Sequence, residues 1–179
     1  MSASASVAVR TLFAPFEDVE GEFLAFLNGA QRSVQTLIYG WHLPRMTDIL
    51  IAHHQAGQEV SIILDHTQAG GHAEAGEVQR LVTAGVPLLI GTSPVHHAIL
   101  HTKATVVDGG GVEFGSWNYS LSASQQSNTA SFVHDVAYAA AFLQHFDRIR
   151  SFIALHEMAM QPQGATAISA PDASTEEAA

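Results

Sequence analysis

Residues 100–118 read LHTKATVVDGGGVEFGSWN, and this stretch decides the fold prediction. Two short runs of apolar and β-branched residues flank Gly109-Gly110-Gly111, which predicts two antiparallel strands joined by a tight turn. Because alternate residues of a strand face the same side, we expect His101 and Lys103 to project together from the first strand.

Ser116 and Asn118 have the same parity on the second strand of this hairpin. One pocket would then hold an imidazole, an ammonium, a hydroxyl and a carboxamide. Lysine, serine and asparagine donate hydrogen bonds suited to phosphate oxygens, and an imidazole can attack phosphorus or transfer a proton. His101 taken alone is more simply explained as a satisfied core histidine, but Lys103 beside it is the only lysine of the chain.

Outside the hairpin, apolar strands alternate with amphipathic helices, which predicts an α/β fold with a mixed β-sheet and helices on both of its faces. Residues 59–65 (EVSIILD) are the most apolar strand and are expected to be central. Residues 66–75 and 117–130 are expected to be loops. Further strands are expected at 7–14, 33–40, 86–91 and 131–137, and helices at 18–29, 45–56, 77–84 and 138–158.

The chain has 179 residues, of which 47% are hydrophobic, enough for one domain with a core. We expect a single domain over residues 1–160 and a disordered acidic tail over residues 161–179. No apolar run approaches the roughly 18 residues of a membrane span, and the first residues do not resemble a signal peptide. The absence of cysteine excludes disulfides and thiolate chemistry and favours a cytoplasmic location.

The formal net charge of -10 is unusual for a protein that binds nucleic acid along many phosphates, since that affinity comes from Lys and Arg. A polyanionic substrate would therefore be contacted locally. We see no basic amphipathic helix or anchor for a membrane surface, so no stable membrane association is expected.

The pattern His-x-Lys-x4-Asp-x6-Gly-Ser-x-Asn, from His101 to Asn118, resembles the signature of the phospholipase D superfamily at every spacing. The flanks agree, since an apolar strand ends in Asp65 with Gln68 following, and Ala-Gly-Val-Pro precedes the next strand. These features are similar to those of the small bacterial phospholipase-D-like nucleases. The resemblance covers roughly residues 10–155.

The resemblance implies a phosphodiesterase in which His101 forms a phosphohistidine, most simply a metal-independent endonuclease that acts on DNA or RNA and needs no cofactor. Lys103, Ser116 and Asn118 would hold the phosphate oxygens, and Asp108 would support the motif without touching the substrate. Family members with two motifs in one chain build the site from both. This chain has one motif, which implies a homodimer with the active site at its two-fold interface.

One departure from the family pattern concerns activity. Many single-motif relatives carry Asn-x-Glu, whose carboxylate orients the histidine, whereas this chain reads Asn128-Thr129-Ala130. Thr129 or the carboxylate of Asp135 would have to replace it. Two alternatives stay open: a phospholipid or small phosphodiester as the substrate, and a binding module with reduced catalysis.

Four further residues are candidates for substrate contact. His97 is placed near the cleft, His66 begins a glycine-rich loop, Tyr39 ends the second strand with Trp41 and His42, and Trp117 or Tyr119 flanks Asn118. Aromatic rings at such positions stack on nucleobases, although core packing explains them equally well. His96-His97 with His101 lacks a carboxylate at ligand spacing, so no metal site is predicted.

Overall fold

The computed structural model describes residues 7–160, with side chains over residues 7–156. The predicted tail at 161–179 lies outside the described residues. The strands are β1 Val9–Ala14, β2 Ser33–Ile38, β3 Trp41–His42, β4 Glu59–Asp65, β5 Leu88–Gly91, β6 Lys103–Val107, β7 Gly111–Gly115, β8 Tyr119–Ser120 and β9 Asn128–His134. The helices are α1 Val19–Asn28, α2 Pro44–Gln55, α3 His66–Ala69, α4 Ala75–Thr83 and α5 Val136–Met160, with a 3-10 turn at Ala123–Gln125.

Seven of the strands form one mixed sheet in the order β1-β9-β7-β6-β2-β4-β5. Strands β2, β4 and β5 are parallel, and β6, β7, β9 and β1 continue the sheet in antiparallel pairs. The predicted α/β class with a mixed sheet is confirmed. The expectation that β4 is central is wrong, because the antiparallel half adds four strands on the far side of β2. Strand β4 is nevertheless paired on both edges, which accounts for its apolar sequence.

Helices cover both faces of the sheet. One face packs against α1 and α2 through a core that includes Phe23, Leu27 and Met46. The other face packs against α5, where Phe146 and Ile149 contact the sheet. Since side chains alternate along each strand, the odd-numbered residues of β6 and β7 face the α1 side.

Two aspartates cap the first turns of helices. Asp18 accepts a hydrogen bond from the backbone N–H of Gly21 at 2.8 Å and caps α1. Asp65 accepts one from Thr67 N at 2.9 Å and caps α3. The predicted loop at 66–75 therefore begins with a short helix, because the last residue of β4 is itself a helix cap.

Three boundaries differ from the prediction. Strand β6 begins at Lys103 rather than at Leu100, β7 ends at Gly115, and β9 begins at Asn128, inside the stretch expected to be a loop. His101, Ser116 and Asn118 therefore lie just beyond strand ends and not within strands. Within residues 7–160, no helix combines the length and hydrophobicity needed to cross a membrane.

Candidate active site at one end of the sheet

The candidate site lies at the end of the sheet where β2 and β7 end and β6 begins. Lys103 pairs with Ile38, the last residue of β2. Extending the β6–β7 pairing by one residue beyond Ala104 and Phe114 places Lys103 beside Gly115, the last residue of β7. The antiparallel pairing thus brings the two halves of the motif to one sheet end, as the hairpin prediction requires.

Lys103 is a nearly buried cation, with only 5% of its surface exposed. Its Nζ donates a hydrogen bond to the carbonyl oxygen of His101 at 2.9 Å and lies 5.0 Å from the centre of the Tyr39 ring. Among the described side chains, no carboxylate forms an ion pair with it. Burial lowers its pKa from 10.5 to about 8, so the ammonium is poised to gain from an anionic ligand.

His101 is exposed and lies in the extended segment that leads into β6. The backbone N–H of the preceding residue, Leu100, donates to Oδ2 of the buried Asp65 at 2.7 Å. The imidazole contacts the Tyr39 ring, with ring centres 4.8 Å apart and planes inclined at 62°. His101 and Lys103 thus meet through Tyr39 and through the hydrogen bond to the His101 carbonyl, and not through alternation on one strand.

Ser116 is fixed by strand β9. Its Oγ donates to Oδ1 of Asn128 and accepts from the backbone N–H of Thr129, both at 3.0 Å. Gly115 makes this approach possible, because a Cβ at that position would overlap the carbonyl oxygen of Thr129.

Asn118 packs against Gly40, in the link between β2 and β3. A Cβ on Gly40 would lie 3.4 Å from its side-chain carbon Cγ, and the next residue, Tyr119, donates from its backbone N–H to Gly40 O at 3.2 Å. Within the described part of the chain, Oδ1 of Asn118 is buried without a hydrogen-bond partner. Such an orphan acceptor at a sheet end is typical of a group that meets a ligand or water.

Asp108 lies at the opposite end of β6 from Lys103. Its carboxylate accepts from the backbone N–H groups of Gln31, Arg32 and Ser33 at 2.7–3.2 Å. Partial burial opposes ionisation, but these hydrogen bonds outweigh it and lower the pKa of Asp108. The position is consistent with a supporting role, since the carboxylate ties the β6–β7 turn to the start of β2.

The position of the missing carboxylate is visible in the sheet. Ala130 pairs with Gly115, which lies beside Lys103, so the three residues form one row across β6, β7 and β9. Neither expected substitute reaches this row on the same face. Thr129 points to the opposite face of β9, and Asp135 lies beyond the far end of β9, where its Oδ1 accepts from Tyr138 N at 2.7 Å at the start of α5.

A comparison with family models decides the classification. The model described as "Cardiolipin synthase, PLD-like domain" matches residues 23–150, which include the entire motif. The chain belongs to the phospholipase D superfamily. The resemblance inferred from the motif is confirmed.

Solved structures share this fold. The phospholipase D family member Nuc from Salmonella typhimurium superimposes with a TM-score of 0.72 at 25% identity, covering 80% of this chain and 93% of that one. NucT from Helicobacter pylori superimposes with a TM-score of 0.70 at 15% identity, covering 82% and 97%. A phospholipase-D-like fold thus accounts for most of the described chain.

Curated relatives match a smaller share of their own length. The chain is 26% identical over 128 residues to a protein named mitochondrial cardiolipin hydrolase from Chlamydomonas reinhardtii. It is 28% identical over 127 residues to the protein of the same name from Xenopus tropicalis. These alignments cover 71% and 70% of this chain but only 55% and 58% of the relatives.

The other residues predicted to contact substrate fall into a buried group and an exposed group. Trp117 is fully buried, packs edge-on against Phe23 and donates from Nε1 to Ser124 Oγ at 3.1 Å, so the prediction that it contacts substrate is wrong. Tyr119 and Trp41 are buried as well. Phe23 on α1, distant in sequence, packs against the Trp117 and Tyr119 rings. Both rings therefore belong to the core and do not face the candidate site.

His66 and His97 are exposed. His66 is the first residue of α3, and His97 has a positive φ of 62° in the loop before β6, where its ring lies 3.8 Å from that of His96. Their contact with substrate remains a prediction. In the described residues, no three His, Asp or Glu side chains form a group that could hold a metal ion.

A buried polar chain beneath the site was missed from the sequence. Tyr119 OH donates to Glu113 Oε2 at 2.7 Å and lies 2.8 Å from Thr105 Oγ1, which lies 3.1 Å from Thr36 Oγ1. Burial raises the pKa of Glu113 to about 8, against the opposing effect of the Tyr119 hydrogen bond. The available signal was a glutamate in the middle of the apolar strand VEF.

Proposed function

We propose that this protein hydrolyses phosphodiesters through a covalent phosphohistidine on His101. The observation that supports this most directly is the meeting of His101 with Lys103, a nearly buried lysine without a carboxylate partner among the described side chains. A cation kept unpaired at low exposure gains most when it neutralises a phosphate. Ser116 and Asn118 supply further polar groups at the same sheet end.

The reaction divides into two displacements at phosphorus. A ring nitrogen of His101 attacks, the nitrogen–phosphorus bond forms, and the bond from phosphorus to the leaving oxygen breaks. The leaving oxygen takes a proton from His101 of the partner subunit, acting as a general acid. Water then attacks phosphorus, gives its proton to that same imidazole and releases His101.

The proposal includes a homodimer, because one chain supplies one His-x-Lys pair and the two-step scheme requires a second imidazole. A two-fold axis passing beside the site would bring two copies of the pair together. Each Lys103 would then increase the positive potential at the shared phosphate.

A metal-independent endonuclease is the leading version of this function, following the resemblance to small single-motif nucleases. The test uses the purified chain with single-stranded DNA, double-stranded DNA and RNA in the presence of EDTA. Wild type should cleave at least one of them, and His101→Ala should be inactive. His134→Ala is the matched control, since it removes an exposed histidine at the end of β9 farthest from the candidate site. Cleavage that survives in His101→Ala, or that disappears only with EDTA, would contradict the proposal.

A phospholipid or small phosphodiester is a second candidate substrate. Two observations favour it: the curated relatives are named as cardiolipin hydrolases, and the net charge of -10 disfavours a long contact with nucleic acid. Turnover of cardiolipin in mixed micelles is compared with turnover of an oligonucleotide at equal phosphodiester concentration. A preference of at least tenfold for the lipid would assign the second substrate class.

The alternative of a binding module rests on Ala130, where the pattern lacks its carboxylate. Acid-quenched mixtures of enzyme with excess substrate are examined for phosphate on His101 by mass spectrometry. A phosphohistidine would eliminate the binding-module alternative, whereas binding without any adduct or turnover would support it.

A further inference from the structure

A histidine nucleophile must be held in one orientation, and the structure shows no hydrogen bond that does so for His101. Among the side chains of residues 7–156, none donates to or accepts from its ring. In the row of Lys103 and Gly115, the position on β9 is filled by Ala130. Attack on phosphorus by a freely rotating imidazole would be slow, because each productive orientation must be found by chance.

Tyr39 occupies the place where such a restraint would act. It directly follows Ile38, the residue of β2 that pairs with Lys103, so its ring lies beside the start of β6. One ring contacts both functional groups: the imidazole of His101 at 4.8 Å between ring centres, and Nζ of Lys103 at 5.0 Å from the ring centre. An aromatic face attracts cations, so the Tyr39 ring stabilises the Lys103 ammonium while it packs against the imidazole of His101.

Tyr39 is itself held by a short helix. Nε2 of Gln68 on α3 donates to the Tyr39 hydroxyl oxygen at 2.9 Å. That helix is fixed by the buried Asp65, whose Oδ1 accepts from Thr67 N while its Oδ2 accepts from Leu100 N. One carboxylate therefore anchors both the residue that precedes His101 and the helix that restrains Tyr39.

We propose that Tyr39, restrained by Gln68, is the positioning residue of His101 and Lys103 and replaces the carboxylate that position 130 lacks. The proposal rests on the proposed phosphohistidine chemistry. It changes the expected role of Tyr39 from stacking on a substrate base to holding the reacting groups. Its inclined contact with the His101 ring and its face contact with Lys103 already engage the Tyr39 ring.

The two roles predict different kinetics. A positioning residue acts on the bound complex, so its loss lowers kcat and leaves KM unchanged. A base-stacking residue acts on affinity, so its loss raises KM for an oligonucleotide. We expect Tyr39→Leu to lower kcat at least tenfold, with KM within twofold of wild type, for both an oligonucleotide and bis(p-nitrophenyl) phosphate.

The Gln68 contact gives a second, independent test. Tyr39→Phe and Gln68→Ala each remove the same hydrogen bond but keep the ring, so we expect each to lower kcat by about the same factor, smaller than for Tyr39→Leu. The double variant should be no worse than either single variant, because both delete one interaction. Tyr138→Leu, which removes a tyrosine packed against Phe114 and Phe142 on the opposite face, is the matched control and should keep wild-type kcat.

A measurement without turnover separates this proposal from the proposed function. Carbethoxylation of each histidine by diethylpyrocarbonate is followed by mass spectrometry on folded protein. Loss of the Tyr39 ring should raise the modification rate of His101 several-fold and leave unchanged that of His134, which is exposed at the opposite end of the sheet. A higher KM with unchanged kcat, additive losses in the double variant, or an unchanged His101 modification rate would overturn the positioning role. Activity of His101→Ala would instead overturn the proposed function.

Discussion

Replacing Glu113 with glutamine should change how the stability of this protein depends on pH. Glu113 is fully buried, its Oε1 has no hydrogen-bond partner among the described residues, and its pKa is raised from 4.5 to about 8. A carboxyl with a raised folded-state pKa keeps its proton in the native state while the unfolded chain releases it. The free energy of unfolding must therefore fall as the pH rises from about 4.5 to about 8.

The size of this effect follows from the pKa difference. Each unit corresponds to about 1.4 kcal/mol, so wild type should lose about 3 to 4 kcal/mol relative to Glu113→Gln between pH 5 and pH 8. Above about pH 8 both states are ionised and the difference should level off. A loss of this size is large against a total stability of roughly 5–15 kcal/mol.

Urea denaturation at pH 5, 6, 7, 8 and 9 measures the effect. Trp41 and Trp117 are both buried, so their fluorescence reports unfolding. Because every other titrating group is shared, the difference between wild type and Glu113→Gln isolates one carboxyl. Glu59→Gln, which removes an exposed glutamate on β4, is the control and should run parallel to wild type. A Glu113→Gln difference that changes by less than about 1 kcal/mol over this range would refute the reasoning.

Three further predictions concern the ends of β6 and β7. Because burial lowers the pKa of Lys103 to about 8, wild type should lose affinity above that pH for tungstate, which stays a dianion from pH 6 to 10, whereas the affinity of Lys103→Arg should fall less because its guanidinium keeps its charge; isothermal titration from pH 6 to 10 tests this, and equal pH dependence of the two proteins would contradict it. Gly115→Ala places a methyl group against the Thr129 carbonyl oxygen and should lower the free energy of unfolding by about 1–3 kcal/mol through overpacking. An unchanged urea midpoint would contradict this, because β9 would then have shifted to accommodate the methyl group. Asp108→Asn should lower stability at pH 7 by about 1–2 kcal/mol, and the deficit should shrink as acid protonates the carboxylate of wild type, whose pKa is lowered; a deficit that stays constant down to pH 3 would count against it.

The sequence predicted the hairpin and the site motif well because both depend on local features. The glycines at 109–111 permit the turn, and the residue types from His101 to Asn118 keep their spacing whatever the strand bounds are. The ends of the strands were not predictable in this way. His101 stands outside β6 because Leu100 N bonds to the distant Asp65, a contact that no local pattern reveals.

Burial of aromatic residues was the least predictable property. Trp117 and Tyr39 flank the same site, yet Trp117 is covered by Phe23 of α1 while Tyr39 stays half-exposed beside His101. Which of the two rings is covered depends on where α1 packs, and α1 is separated from both residues by other elements. Sequence patterns near the motif therefore identify the polar groups of the site but not which aromatic ring lies beside them.

The charges of the chain indicate what the site can recognise. Four of its arginines already pair with carboxylates, namely Arg10, Arg45, Arg80 and Arg150, and Arg32 donates to the carbonyl oxygen of Asp108. Lys103 is a cation at the candidate site with no such partner among the described side chains. A protein with this arrangement offers no track of positive charge for a long polyanion. Under the proposed function, recognition would centre on a single phosphate at Lys103, and a choice between nucleic acid and lipid would come from the groups on either side of that phosphate.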